Sequence, residues 1–175
     1  MPEPRLTPAA FADLFAQHAP MFRVVAASRV GLDAADDVLQ RAAILALGKL
    51  DSFTPETNFR AWFSAFVRNE ARNMARSERR RTGLPLDDAA LGAANPPPAM
   101  TGEPDADSDR LQTCLDGLSN THRECVLLRV LSGCSYTQIA QITGLNSATA
   151  RSHVHRARSA LAACMGTLAA EGAIS

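Results

Sequence analysis

Apolar residues recur at intervals of three and four along most of this chain. After Thr7-Pro8, which pairs a threonine N-cap with a proline at the first helical position, Phe11, Leu14, Phe15, Phe22 and Val25 share one face. This predicts a first helix to about Arg29, broken by Gly31. Asp33, with Asp36 at the capping-box position, is expected to start a second helix, and Val38, Leu39, Ala42, Leu45 and Ala46 are its apolar stripe. That helix should end near Leu50. Beyond the turn-like Asp51-Ser52-Phe53-Thr54-Pro55, residues Phe59, Trp62, Phe63, Phe66, Val67 and Met74 define a third amphipathic helix whose other face is rich in arginine.

The periodicity then lapses. From Thr82 to Ser108 the chain carries a Pro-Pro-Pro run, glycines and acids, the composition of a flexible connector. It resumes with a short helix over Leu111 to Gly117. Ser119 is placed to cap another helix, running to Leu131 and ended by Gly133. Ser135 with Gln138 forms a capping box, Ile139 and Ile142 supply apolar contacts, Gly144 makes a tight turn, and Asn146 or Ser147 caps a last helix through Cys164. No segment alternates as a strand would. The expected fold is all-α: two small helical domains, residues 1–82 with three to four helices and 109–175 with four, joined by a flexible acidic linker over 83–108.

Composition changes the picture in three ways. The hydrophobic share of 46% supports packed cores, but no apolar run reaches the roughly 20 residues of a membrane span. The opening MPEPRLTPAAFADLF lacks the basic start and apolar core of a secretory signal, so a soluble, cytoplasmic protein is expected. Net charge is zero, yet residues 60–81 hold seven arginines against Glu70 and Glu78, while the connector region 83–109 holds six acids and no base. At a Debye length of roughly 8 Å such segregation outweighs the neutral sum. Cys114, Cys125, Cys134 and Cys164 show neither a C-x-x-C pair nor zinc-ligand spacing, so buried or inert thiols are expected, with no metal and no cofactor. His153 and His155, two apart on a helix, cannot grip one metal together.

The C-terminal pattern from Ser135 to Arg158, a capped short helix, a glycine turn and a second capped basic helix, is helix-turn-helix grammar. In such a motif the N-terminal residues of the second helix face base edges, and the exposed candidates here are Thr149, Arg151, Ser152, His153, His155 and Arg156. Arginine's fork of donors matches the two major-groove acceptors of guanine, and serine or threonine reaches a base or a phosphate. The bland alternative is a helical hairpin with a solvated basic face. In the N-terminal half Arg68, Arg72, Arg76 and Arg79 recur every three or four residues and form one ridge, suited to phosphates.

Leu118 through Ala140, continuing through His155-Arg-Ala-Arg-Ser-Ala-Leu, resembles the promoter-binding C-terminal domain of extracytoplasmic-function sigma factors of bacterial RNA polymerase. Asp36-Asp37-Val38-Leu39-Gln40, then Phe59-Arg60-Ala61-Trp62-Phe63 and Asn69, resembles the family's other conserved domain. The resemblance implies a non-enzymatic alternative sigma factor that binds core RNA polymerase through its beta and beta-prime subunits, recognises double- and single-stranded promoter DNA, and is commonly restrained by an anti-sigma factor. It implies minus-thirty-five recognition by the C-terminal domain and minus-ten opening by the N-terminal one. Asp36, Asp37, Gln40 and Arg41 would dock on the polymerase clamp helices; without the resemblance they read as a solvated helix face with acids in its first turn. Phe53, the loop Thr54 to Asn58, Phe66 and Asn69 fall where related factors hold a flipped base of the non-template strand, a task suited to stacking and to an amide, and Arg60 belongs with them to the minus-ten contact. Phe66 fits a core position equally well, and Trp62 reads as a core anchor.

Three rivals are weighed against this. Response regulators of the LuxR type share the helix-turn-helix, but their receiver domains are α/β, whereas residues 1–82 read as helical throughout. A sigma-like decoy for an inhibitor would not need a basic recognition helix. An enzyme would need an arranged nucleophile and base, which the cysteines and histidines do not provide. Two departures from the family bear on base preference: histidines at 153 and 155, and Ala148 and Ala150 at the turn-to-helix junction.

Overall fold

A computed structural model describes residues 6–54, 58–82 and 106–172, and all the regular structure among them is helical. Helix α1, Pro8–Val30, starts as expected: the Thr7 hydroxyl accepts the Ala10 N–H at 3.2 Å, and Pro8 occupies the first turn. Pro20 lies mid-helix on the exposed side, where water can satisfy the carbonyl it leaves unbonded.

The start of α2, Leu32–Leu47, differs from expectation. Gly31, at φ 81°, donates to the Ala27 carbonyl to close α1 and is also the N-cap of α2, which has no side-chain cap. A left-handed glycine ends one helix and starts the next without a spacer, so Asp33 falls inside the first turn rather than before it. The helix also ends earlier than Leu50. The Gly48 N–H returns to Ile44, and a short 3₁₀ turn, Leu50–Ser52, leads to Phe53. Helix α3, Phe59–Thr82, carries the aromatic stripe. Its rings interlock with those of α1: Phe22 and Phe63 meet edge to face at 4.6 Å, and Phe11 and Phe15 pack edge-on against Phe63 at 5.6 and 5.5 Å. Phe22, Val25, Val38, Phe63 and Val67 have no exposed surface.

The second unit starts with α4, Ala106–Asp116, whose first turn lies within the span expected to be linker. Residues 83–105 of that expected linker fall outside the described residues. Helix α5, Asn120–Val130, is capped by Ser119, which accepts the His122 N–H. Both halves of the capping box on α6, Tyr136–Thr143, are formed, with Ser135 N–H to Gln138 Oε1 at 2.8 Å and Gln138 N–H to Ser135 Oγ at 3.2 Å. Gly144 adopts the left-handed conformation at φ 76°. Asn146 then caps α7, Ser147–Gly172, by accepting the Thr149 N–H at 2.7 Å. This last helix continues beyond Cys164.

The two units touch. Helix α5 lies along α1 and α6 along α3, and one buried cluster runs from Phe11 and Phe63 through Cys125 and Leu128 to Ile142 and Val154. Glu124 of α5, 2% exposed, receives Arg29 of α1 and Arg68 of α3, each at 3.0 Å. A carboxylate this deep requires charged partners, and both come from the other unit. Beside it, buried Arg123 donates to the carbonyls of Leu115 and Asp116 at 2.7 and 2.8 Å and reaches the Ser28 carbonyl of α1 at 3.4 Å. Nothing in the composition of the connector signalled this contact. Among the described residues, no helix is long and apolar enough to cross a membrane.

Candidate nucleic-acid interface

On α7, Arg151, His155 and Arg156 are exposed, whereas Thr149 and Ser152 are half-buried. Arg151 does not hang free: its guanidinium lies 5.2 Å from the centre of the Tyr136 ring, and Arg129 lies 5.0 Å from the same ring. Tyr136, the first residue of α6, thus aims a residue of the second helix of the motif through a cation–π contact. Tyr136 is not among the expected site residues; the signal for it is an aromatic directly after the capping serine.

His153 departs from expectation. It is half-buried, with its ring 4.7 Å from that of His122 on α5 and its Nδ1 buried without a hydrogen-bond partner among the described residues. The reason is helical geometry: His153 precedes buried Val154 and lies one turn before buried Ala157, which turns it toward α5 rather than outward. Burial foremost, then the neighbouring His153 and Arg156, hold the His122 imidazole below its ordinary titration range. The outward side chains on this surface are therefore arginines and His155.

The N-terminal residues fall into two sets. Phe66, Asn69, Arg72 and Arg76 line one open groove of about 350 Å³ together with Leu45 of α2 and Lys49 just beyond it. Phe66 is half-buried; it contacts Trp62 at 4.9 Å, and Trp62 contacts Phe53 at 5.3 Å, so a ladder of rings leads from the loop to the groove. Phe66 is thus both a member of the core's margin and a wall of the groove, and Trp62 packs on the core as expected. Thr54 is exposed, and Arg60 and Arg79 are half-buried. The second set is committed elsewhere. Arg68 is bonded to Glu124, and the Asn58 amide donates to Gln141 of α6 at 2.8 Å while its carbonyl oxygen caps α3 at Arg60. The ridge of four arginines is accordingly not uniform.

On α2, Asp36, Asp37, Gln40 and Arg41 are all exposed, and Asp36 pairs with Arg23 in a solvated salt bridge at 3.1 Å. The same exposed surface continues into apolar side chains: Ile44 is 69% exposed and Leu47 44%. These lie outside the buried stripe of Ala35, Val38, Leu39, Ala42 and Ala46, and their exposure is legible only once that stripe is known. Apolar residues continuous with a polar helix face make a surface suited to a protein rather than to a nucleic acid.

Of the cysteines, Cys125 and Cys134 are buried free thiols, as expected, and burial pushes Cys125 up to about 12. Cys114 and Cys164 correct the expectation: they are joined in a disulfide across 50 residues, a separation at which no local spacing motif exists. Among the described residues no group of three or more His, Cys, Asp or Glu could hold a metal ion.

A helical unit with an exposed acidic and apolar face and an aromatic groove, followed by a helix-turn-helix, is the plan of a promoter-recognition subunit. Residues 14–81 match sigma-70 region 2, and residues 108–161 match sigma-70 region 4. The chain belongs to the extracytoplasmic-function sigma factors of bacterial RNA polymerase. It is 35% identical to the ECF RNA polymerase sigma factor EcfG of Rhodopseudomonas palustris over 83% of this chain and 80% of that one. It is 31% identical to the RNA polymerase sigma factor CarQ of Myxococcus xanthus over 93% and 92% of the two chains. Its fold is similar to that of the sigma factor RpoE of Bartonella quintana, solved with the anti-sigma factor NepR, at a TM-score of 0.63 and 29% identity, covering 89% of this chain and 96% of that one. Proteins of this family are not enzymes: they bind core polymerase and promoter DNA and initiate transcription.

Proposed function

We propose that the two units divide the promoter between them: residues 1–82 grip polymerase and open the minus-ten element, and residues 109–175 read the minus-thirty-five element. In this reading Arg151 and Arg156 contact bases from α7, with Thr149, Ser152 and His155 beside them and His153 acting from behind by holding the helix against α5. Phe66 and Asn69 hold a flipped base in the groove, Phe53, Thr54, Asn58 and Arg60 border it, and Arg72, Arg76 and Arg79 meet phosphates. Asp36, Asp37, Gln40 and Arg41, extended by Ile44 and Leu47, dock on polymerase. Asn58 and Arg68 serve DNA only after Gln141 and Glu124 release them. The protein works in the cytoplasm, where polymerase is, and an anti-sigma factor is a further partner, as NepR is for the Bartonella relative.

The observation that carries this reading is the ring-held Arg151 on the exposed face of a capped second helix, in the same chain as a groove that gathers Phe66, Asn69, Arg72 and Arg76. Run-off transcription with core polymerase on a genomic promoter library is the test. Arg151→Ala and Arg156→Ala should each cost about 1–3 kcal/mol and relax preference at one or two upstream positions. Arg72→Ala should weaken all promoters alike. Equal loss across scrambled upstream elements for the α7 variants would show the base readout to be misassigned.

A further inference from the structure

Cys114 stands in the last turns of α4 and Cys164 in the distal half of α7, with their Cα atoms 5.7 Å apart. The core around this bridge is small: Leu118, Val126 and Ala157 are its buried members, with Leu115, Leu127 and Leu161 packed against them. Helix α4 has only 11 residues, below the roughly 12 to 15 at which an isolated helix holds in water. Its place thus depends on that small core, on the bonds from Arg123 to its last turn, and on the covalent link to α7. The remaining two cysteines cannot substitute. Cys125 and Cys134 are both buried and neither is in a disulfide, whereas Cys114 is the cysteine within bonding distance of Cys164. Cys114 is 3% exposed, whereas Cys164 is only half-buried, so an oxidant from solvent meets Cys164 first.

We propose that Cys114 and Cys164 form a reversible oxidation site, a dithiol that a peroxide closes into a bridge between α4 and the DNA-reading helix. The Cys164 thiolate attacks hydrogen peroxide; an S–O bond forms, the O–O bond breaks, and the departing hydroxide takes the thiol's proton and leaves as water. The Cys114 thiolate then attacks the sulfenic sulfur. The S–S bond forms, the S–O bond breaks, and a second water carries off the second proton. Two thiols lose two electrons, which the peroxide gains, and a dithiol reductant reverses the change by exchange. Oxidation pins α4 to α7; reduction leaves it on the small core and on the bonds from Arg123 to Leu115 and Asp116. The promoter consequence rests on the assignment of α7 as the upstream-element reader, whereas the oxidation site does not.

The test uses the full chain. Treatment with one equivalent of hydrogen peroxide, then denaturation and alkylation, should leave two of the four cysteines alkylatable, and peptide mapping should show the 114–164 link. The oxidised protein should melt at least about 5 °C above the reduced one. Reduced wild type and Cys164→Ser should melt alike with or without peroxide in the variant, which keeps the test independent of whether Cys114→Ser folds. Between the two melting points only the oxidised protein should retain upstream-element binding. Four alkylatable thiols after peroxide, a link to Cys125 or Cys134, a link between two chains, or a melting point indifferent to reductant would each overturn the proposal. Thiol loss and a melting shift without the binding difference would uphold the oxidation site and count against α7 as the reader.

Discussion

The N-terminal unit is held together by rings and the C-terminal unit by caps, charges and a disulfide. In the first, Phe11, Phe15, Phe22, Phe59 and Phe63 meet at 4.6 to 6.2 Å and bury large apolar surfaces against one another. The second has small buried side chains on α7, Ala150, Val154 and Ala157, with Arg123 and Glu124 among its buried residues. A ring-packed core holds three helices through non-directional burial and leaves their outer faces free to vary. A helix-turn-helix needs fixed angles between short helices, and directional bonds supply them: a reciprocal capping box, two left-handed glycines and a guanidinium with several carbonyl partners. The C-terminal unit adds these directional bonds to an aliphatic core of Leu128, Ile139 and Ile142, where the N-terminal unit relies on rings.

The largest effect should come from the ring core. Phe63→Ala removes a side chain with no exposed surface and five aromatic neighbours in the α1–α3 layer, and should cost about 3–5 kcal/mol. The denaturant midpoint reads it. A loss below 1 kcal/mol would mean that the rings can close the gap, and the contrast between the units would weaken.

Next in size is the charge that joins them. Glu124→Ala strands Arg29 and Arg68, and should cost about 3 kcal/mol, the low end of the range for a broken buried pair because both arginines keep some access to water. A double-mutant cycle of Glu124→Ala with Arg68→Ala isolates the bond across the units, and a coupling of about 0.5–3 kcal/mol is expected. Additive losses would show that the carboxylate is supported by its own unit.

The smallest effect is in pH. His122 and His18 are both held below the ordinary 6.5, His122 by burial and then by His153 and Arg156, His18 by burial and then by Arg60. Below that pH the unfolded chain takes up protons that the folded chain resists, so stability is highest above it and falls as the solution is acidified through it. His122→Asn should flatten the decline in melting temperature between neutral and acidic buffer, leaving the share of His18. An unchanged slope would place the proton uptake wholly in the N-terminal unit.

What could be read from the chain follows the same divide between local and distant causes. Thr7-Pro8, the phenylalanine stripe, Ser135 with Gln138, and Gly144 act over at most a few turns, and their roles were legible. The helix-turn-helix and the exposed acids of α2 were legible for the same reason. Gly31 was harder: that one glycine would end α1 and start α2 depends on the angle between helices, so Asp33 looked the better cap. Glu124 was silent because its partners lie 95 and 56 residues away, and Arg68 looked like its neighbours Arg72 and Arg76 for that reason. His153 seemed as outward as His155 until α5 supplied the ring it rests on. Cys114 and Cys164 had no spacing to betray them.

The bond between Arg68 and Glu124 has a consequence best put as an equilibrium. A guanidinium held by a buried carboxylate is available to a phosphate only in the fraction of molecules where the two helical units have parted. If promoter binding needs that guanidinium, as proposed, the apparent affinity is the intrinsic affinity scaled by that fraction, and with about one molecule in a hundred parted the dissociation constant rises about a hundredfold. A partner that binds only the parted form restores that factor without touching DNA. If Arg68 meets phosphate as proposed, a single glutamate thereby sets how strongly the promoter's grip on this chain depends on what else is bound to it.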